Sequence, residues 1–299
     1  MLPSSTEIPV VFSCETDLLV GIISKPDKAS RIGVVIVVAG GPQYRVGAHR
    51  QFVTLARLLT NHAIASIRFD HRGTGDSTGE LRGFVDMNAD IQSAVNVLLD
   101  RVPEIDKIVL WGECESATAS AFYSYTDPRI QGIFMVNPWI RTDAGLAKTM
   151  IRYYYWHRLL EKSFWTKVMS GQFSITASLK SCMTLIKSTL SNKRGEADSS
   201  VDEAIDILPL PERLAESCRR FSGEMFILTS GRDYIAREFN DYVETSKIWQ
   251  ELIASGRVTL KAIPEADHTF SRLEWRNKLL EYTVSWLKNI ESVQKDSAQ

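Results

Sequence analysis

Three residues in this chain have the types and the order needed for acyl transfer: Cys114, Asp233 and His268. A thiol becomes a useful nucleophile when a histidine takes its proton, and the histidine works best when a carboxylate holds its tautomer and stabilises the imidazolium. Cys114 sits in KIVLWGECESATASAFYSY, residues 107–125. There an apolar run stops at Gly112 and a helical pattern of small residues begins around Ser116. Gly-x-Cys-x-Ser is the layout of a sharp strand-to-helix turn that exposes a nucleophile, with a thiol in place of the usual hydroxyl. Small residues at 112 and 116 are required because the turn crowds positions two on either side of the nucleophile. The helix N-terminus that follows favours developing negative charge at Cys114.

The assigned roles follow from this chemistry. His268 takes the thiol proton and later returns it to the leaving group, Asp233 orients the ring, and Cys114 forms an acyl-enzyme. Asp267 is the competing acid, but a residue adjacent to the histidine usually points elsewhere. A tetrahedral oxyanion needs two donors: the expected pair is the backbone N–H of Glu115 and that of Gly41, with Gln43 in reserve, since Pro42 has no N–H. Gln43, Arg45 and Trp139 are expected to line the substrate. Arg45, His49 and Arg72 are either solvated loop residues or binders of an anionic substrate. Glu113 and Glu115 flank Cys114, and two nearby negative charges disfavour a thiolate, so the expected resting form is the thiol, activated when substrate binds.

Elements must exist to bring these residues together. Residues 7–14 and 18–24 read as an antiparallel hairpin, and IGVVIVVA at 32–39 as a central strand buried on both faces. Helical apolar spacing follows at 51–61, a strand at 63–69, the polar glycine-rich loop 70–77, a helix at 86–101, and a strand at 130–136. The alternation resumes with a strand at 225–229, one helix over 237–255, a strand at 258–263 and a closing helix at 273–290. Alternating strand and helix predicts a doubly wound, largely parallel sheet, with functional residues at the carboxyl ends of its strands. No convincing strand falls between, so 1–140 and 223–299 are expected to form one core domain and 141–222 a helical cap. The cap is expected to hold helices at 146–169 and 174–190, and a polar stretch at 191–202. From Arg141 to Leu190 there are eight Lys/Arg against Asp143 and Glu161. With its aromatic residues, this segment reads as a helical cap with a packed aromatic core. An acyl chain, an anionic carrier or a membrane surface is the sharper alternative.

Bulk properties narrow the classes. A net charge of −1 gives no electrostatic case for nucleic acid or membrane binding. Four widely spaced cysteines without a C-x-x-C pair argue against a zinc site or a disulfide framework and fit a reducing compartment. No apolar run spans a bilayer and no signal peptide is evident, so a cytoplasmic location is expected. No cofactor or metal is called for, and the glycines at 73 and 75 lack a dinucleotide-binding layout.

Nucleophile, acid, histidine is the chain order of α/β-hydrolases, and the chain resembles that superfamily with a helical cap. The loop FDHRGTGDS, residues 69–77, resembles the D-x-R-G-x-G-x-S loop common there. GGPQYRVGAHRQF at 40–52, VLWGECESA at 109–117 and NPWIRT at 137–142 resemble the exosortase A system-associated hydrolases. These are bacterial α/β-hydrolases found beside exopolysaccharide and protein-sorting genes. The resemblance covers most of the chain. It implies an α/β-hydrolase fold with a mostly parallel eight-stranded sheet, a cysteine at the elbow, and a cytoplasmic accessory enzyme linked to exosortase or polysaccharide machinery. It supplies no substrate. A thiol nucleophile resembles dienelactone hydrolase more than the serine lipases. The expected activity is cleavage of a small-molecule carboxylic ester or thioester. The alternatives are an acyltransferase using the same triad and a catalytically silent binding protein of this fold.

Overall fold

The computed structural model describes residues 5–39, 44–141 and 205–296. The helices expected at 146–169 and 174–190, and the polar stretch at 191–202, lie outside the described residues.

Eight strands form one sheet in the order β1-β2-β4-β3-β5-β6-β7-β8. They are β1 (Ser5–Cys14), β2 (Asp17–Pro26), β3 (Ile32–Val37), β4 (Ala65–Asp70), β5 (Lys107–Glu113), β6 (Ile130–Val136), β7 (Glu224–Ser230) and β8 (Val258–Ile263). β2 is antiparallel to both neighbours, and every pair from β4 to β8 is parallel. This is the α/β-hydrolase fold. The central strands β3 and β4 are buried along their whole length, as the β-branched run of β3 requires.

The helices are α1 (Gln51–Asn61), α2 (Asn88–Arg101), α3 (Glu115–Ser124), α4 (Leu210–Arg220), α5 (Tyr234–Thr245), α6 (Lys247–Ala254) and α7 (Leu273–Asp296). Two apolar clusters separate the faces of the sheet. α1 and α7 pack on one, through Phe52, Leu55, Leu59, Trp275 and Leu279, while α2 to α6 pack on the other, through residues such as Ile91, Ala117, Leu214, Phe239 and Trp249. On the α7 side Trp111, Phe134 and Phe226 stack in a row beneath Trp286, and the Trp111 Nε1–H donates to Thr283 Oγ1 at 3.3 Å.

Three details differ from the sequence reading. β5 does not stop at Gly112 but runs through it to Glu113, because Gly112 pairs with Val37 on one side and Met135 on the other. The single helix expected over 237–255 is two, broken at Ser246, whose extended backbone (φ −86°, ψ 121°) ends α5 and begins α6. α4, read as part of the insertion, packs on α3, and its Leu214, Ala215 and Cys218 are buried in the core cluster of that face.

Candidate active site

Cys114 stands between β5 and α3 with φ 61° and ψ −123°, a conformation that a side chain other than glycine's adopts only under strain. The surrounding chain holds it there. Its N–H donates to the Val136 carbonyl at 2.8 Å, and its own carbonyl accepts from Ala117 at 3.1 Å and Trp139 at 3.3 Å. A Cβ on Gly112 would lie 2.4 Å from the Ser116 carbonyl oxygen, so only glycine fits at that position. Ser116 is fully buried, and its hydroxyl donates to the Glu113 carbonyl and accepts from the Glu113 N–H, both at 2.8 Å. The small residue expected at 116 therefore locks the turn as well as fitting into it. Glu115 is the first residue of α3, so its amide lies at the helix N-terminus, where backbone donors have no intrahelical acceptor.

Asp233 and His268 follow β7 and β8. The two loops are zipped together: Gly231 N–H donates to the Ile263 carbonyl at 3.0 Å and Arg232 N–H to Ala266 at 2.9 Å. A Cβ on Gly231 would meet the Pro264 oxygen at 2.2 Å, so this close approach depends on glycine. The zipper places His268 Nδ1 2.7 Å from Asp233 Oδ2. Asp233 also caps α5, accepting from the N–H groups of Ile235 at 3.1 Å and Ala236 at 3.3 Å. Capping and holding the histidine are compatible uses of one carboxylate. Asp267, the competing acid, accepts from the Ser271 amide and hydroxyl instead. Cys114 acts on the His268 ring as well, favouring its charged form. Burial works against charge on His268, but the bond to Asp233 and the influence of Cys114 outweigh it and raise the ring to about 10.

Glu113 departs from the sequence reading. Its carboxyl is buried, with Oε2 accepting from Gln51 Nε2 at 3.2 Å. Burial pushes it up to about 7, with His268 opposing and Asp233 and Asp267 reinforcing. Glu115 is half-buried and is raised by burial as well. Two full negative charges were expected beside the thiol; low polarity around both carboxyls makes them harder to ionise than in water.

The remaining expected site residues divide. Trp139 lies against the nucleophile turn through its bond to the Cys114 carbonyl, its own carbonyl accepts from Thr118 Oγ1 at 2.7 Å, and the Arg141 guanidinium sits 5.2 Å from the centre of its ring. Arg45 is committed elsewhere, with its guanidinium bound to Asp70 and to Asp76. Arg72 is not solvated either. It is buried in a forked pair with Asp90 and also meets Glu15, whereas His49 is exposed. Gly41 and Gln43 lie outside the described residues.

Asn137 went unnoticed as a functional residue in the sequence. It is buried at the end of β6 with φ 47°, its Nδ2 donates to the His268 carbonyl at 3.1 Å, and its Oδ1 accepts from Ser230 N–H at 2.8 Å. It ties the ends of β6 and β7 to the histidine loop. The available signal was an Asn-Pro pair directly after a strand, read there only as a strand end.

Among the described residues no cluster of three or more His, Cys, Asp or Glu could hold a metal ion, and no helix is long and apolar enough to cross a membrane. No curated protein matches the chain. Solved structures similar to it include the Pf2001 esterase of Pyrococcus furiosus, with TM-score 0.63 and 16% identity over 95% of this chain and 91% of that one. Est1E of Butyrivibrio proteoclasticus with bound ferulic acid gives TM-score 0.60 at 12% identity, over 95% and 99% of the two chains. Dienelactone hydrolase from Anabaena variabilis gives TM-score 0.58 at 12% identity, over 95% and 98%. At such identities the likeness is one of fold. The family described as Hydrolase_4, serine aminopeptidase S33, matches residues 30–272. With most of its length inside that match, the chain belongs to the Hydrolase_4 (serine aminopeptidase, S33) family of α/β-hydrolases.

Proposed function

We propose that this protein cleaves a carboxylic ester or thioester through an acyl-enzyme on Cys114. The observation that carries the reading is His268, bound through Nδ1 to Asp233 at 2.7 Å, together with Cys114 held in a strained turn between β5 and α3. His268 holds the proton released by Cys114 while sulfur bonds to the substrate carbonyl carbon. The oxyanion so formed is met by the Glu115 N–H and by a donor from the loop after β3, for which Gly41 is the candidate. His268 passes its proton to the departing alcohol or thiol as the carbon–oxygen or carbon–sulfur bond breaks, leaving a thioester on Cys114. Water then gives a proton to His268 and its oxygen to the acyl carbon. The carboxylic acid departs, and the proton returns to sulfur.

A cysteine acyl-enzyme is itself a thioester, so transfer to or from a thioester substrate is nearly balanced in energy, and an acceptor other than water serves the same intermediate. Trp139, half-buried beside the nucleophile turn, is positioned to line the acyl site. The esterase and the ferulic acid complex among the structural relatives support ester chemistry on this fold. An accessory role beside exosortase or polysaccharide machinery rests on the resemblance of segments 40–52, 109–117 and 137–142.

Intact-protein mass spectrometry after brief reaction with p-nitrophenyl acetate tests the reading. An acetyl group on Cys114, absent in Cys114→Ala and in His268→Ala, is the expected result. A folded wild-type protein that acquires no adduct there, and turns over no ester or acyl thioester, is a binding protein on a hydrolase fold.

A further inference from the structure

One buried carboxyl at the carboxyl rim of the sheet has no part in the acyl-transfer steps. Glu113 is the last residue of β5 and immediately precedes Cys114. Strand alternation places its side chain on the face of Val109 and Trp111, under α1 and α7. It is 4% exposed. Among the described residues, its Oε1 is the only buried carboxylate oxygen without a hydrogen-bond partner. Among the described residues its one side-chain partner is Gln51, the first residue of α1, whose own Oε1 also lacks a donor there.

This pairing suits a carboxyl that changes form. Gln51 Nε2 donates to the carboxylate, and a half-turn of the amide presents Oε1 to accept from the carboxylic acid O–H. An open carboxylate oxygen is costly in a buried site, whereas the acid form turns one oxygen into a donor. Burial pushes Glu113 up to about 7, so both forms are available near neutrality. The charged groups that act on it are His268, which favours the carboxylate, and Asp233 and Asp267, which disfavour it. The influence is mutual: whatever His268 does to the charge of Glu113, Glu113 does to the charge of His268.

We propose that Glu113 is a positioning residue for His268: a second, buried carboxyl, partnered by Gln51, that sets how strongly the ring holds its proton between Cys114 and the leaving group. The role rests on the reading of Cys114, His268 and Asp233 as acyl-transfer machinery. Asp233 fixes the ring through a direct bond. Glu113 acts through space, from beneath the nucleophile turn. The ring gains charge when it takes a proton from sulfur or water. A carboxylate at Glu113 stabilises the imidazolium, and the neutral acid leaves the ring freer to deliver its proton to the leaving group.

The test is NMR titration of the His268 ring in wild type, Glu113→Gln and Gln51→Leu. In Glu113→Gln, which keeps shape and removes charge, the ring midpoint falls by roughly one pH unit or more, as expected on losing a nearby carboxylate. The acidic limb of kcat/KM for p-nitrophenyl acetate moves down with it. Gln51→Leu removes the donor to the carboxylate, favours the acid form and gives a smaller fall. A purely structural role would lower stability and leave the midpoint in place. A ring midpoint in Glu113→Gln that coincides with wild type overturns the proposal; should that variant fail to fold, an unmoved midpoint in Gln51→Leu does the same. An acetyl adduct on Cys114 with an unmoved ring removes Glu113 from the machinery and leaves the nucleophile. A moved ring without any adduct overturns the acyl-transfer reading and with it this role, leaving only an electrostatic coupling.

Discussion

Two clusters of charged side chains lie on the same rim of the sheet and differ in how fully they are paired. After β4, Asp70 accepts from the Arg45 amide at 2.7 Å and the Asp76 amide at 3.1 Å, as well as from the Arg45 guanidinium. Next to it Arg72 forks onto Asp90, with both side chains 1% exposed, and reaches Glu15. Each charge there is matched, and the loop from Asp70 to Ser77 is closed by Ser77 Oγ, which donates to the Asp70 carbonyl at 2.6 Å. After β5, β7 and β8 the pairing is incomplete: the elbow backbone is strained, the thiol is half-buried, and Glu113 keeps an oxygen without a donor among the described residues. Complete pairing makes a brace. Capacity left over, held at some cost, is what a reacting group can use.

Mutations at the two clusters should fail in different ways. The largest effect belongs to the incomplete cluster. Cys114→Ala or His268→Ala should lower kcat/KM for p-nitrophenyl acetate by about a thousandfold or more, with thermal unfolding little changed. In the braced cluster the failure is structural. Arg72→Met leaves Asp90 buried without its partner and should cost about 3–5 kcal/mol in urea unfolding, while turnover per folded molecule stays near wild type. A large loss of turnover in that variant at full stability would erase the distinction between brace and site.

Next comes the pH dependence of Glu113. Its carboxyl in the folded chain is raised to about 7 from an ordinary 4.5, so the folded state keeps a proton that the unfolded chain has lost. That contribution is complete below pH 4.5 and disappears as pH rises through about 7. Glu113→Gln, which never ionises, should therefore gain stability relative to wild type between pH 5 and pH 8, by an amount on the order of 2–3 kcal/mol. Equal pH dependence in both proteins would mean that the carboxyl ionises as it does in water. The smallest effect separates the two uses of Asp233. Asp233→Asn keeps an N-cap and loses the charged hold on His268, whereas Asp233→Ala loses both. Activity should fall alike in the two, with stability lower by about 1 kcal/mol in the alanine variant only.

Much of the site was legible because it follows from local pattern. Apolar runs mark the strands, and Cys114, Asp233 and His268 each stand a few residues past one of them. Even Gly112 could be assigned its purpose before the clash with the Ser116 backbone was measurable. Arg45 was not legible as a brace: its partners Asp70 and Asp76 lie 25 and 31 residues away in the chain. The break at Ser246 was hidden because apolar spacing continues across it, and Asn137 because its bonds reach two other strand ends.

The sequence alone was sufficient for the alternating sheet, the sharp turn at Cys114 and the placing of Cys114, Asp233 and His268 after successive strands, since each depends on neighbours a few positions apart. Only the tertiary structure decided which charges are spent and which are not. Glu113 and Arg72 each carry one formal charge, of opposite sign, in the sequence, but burial without a full set of partners pushes the carboxyl toward neutrality, and burial with a forked carboxylate holds the guanidinium as a cation. Solvation and long-range pairing set those outcomes, and neither is a property of a residue or of its neighbours along the chain.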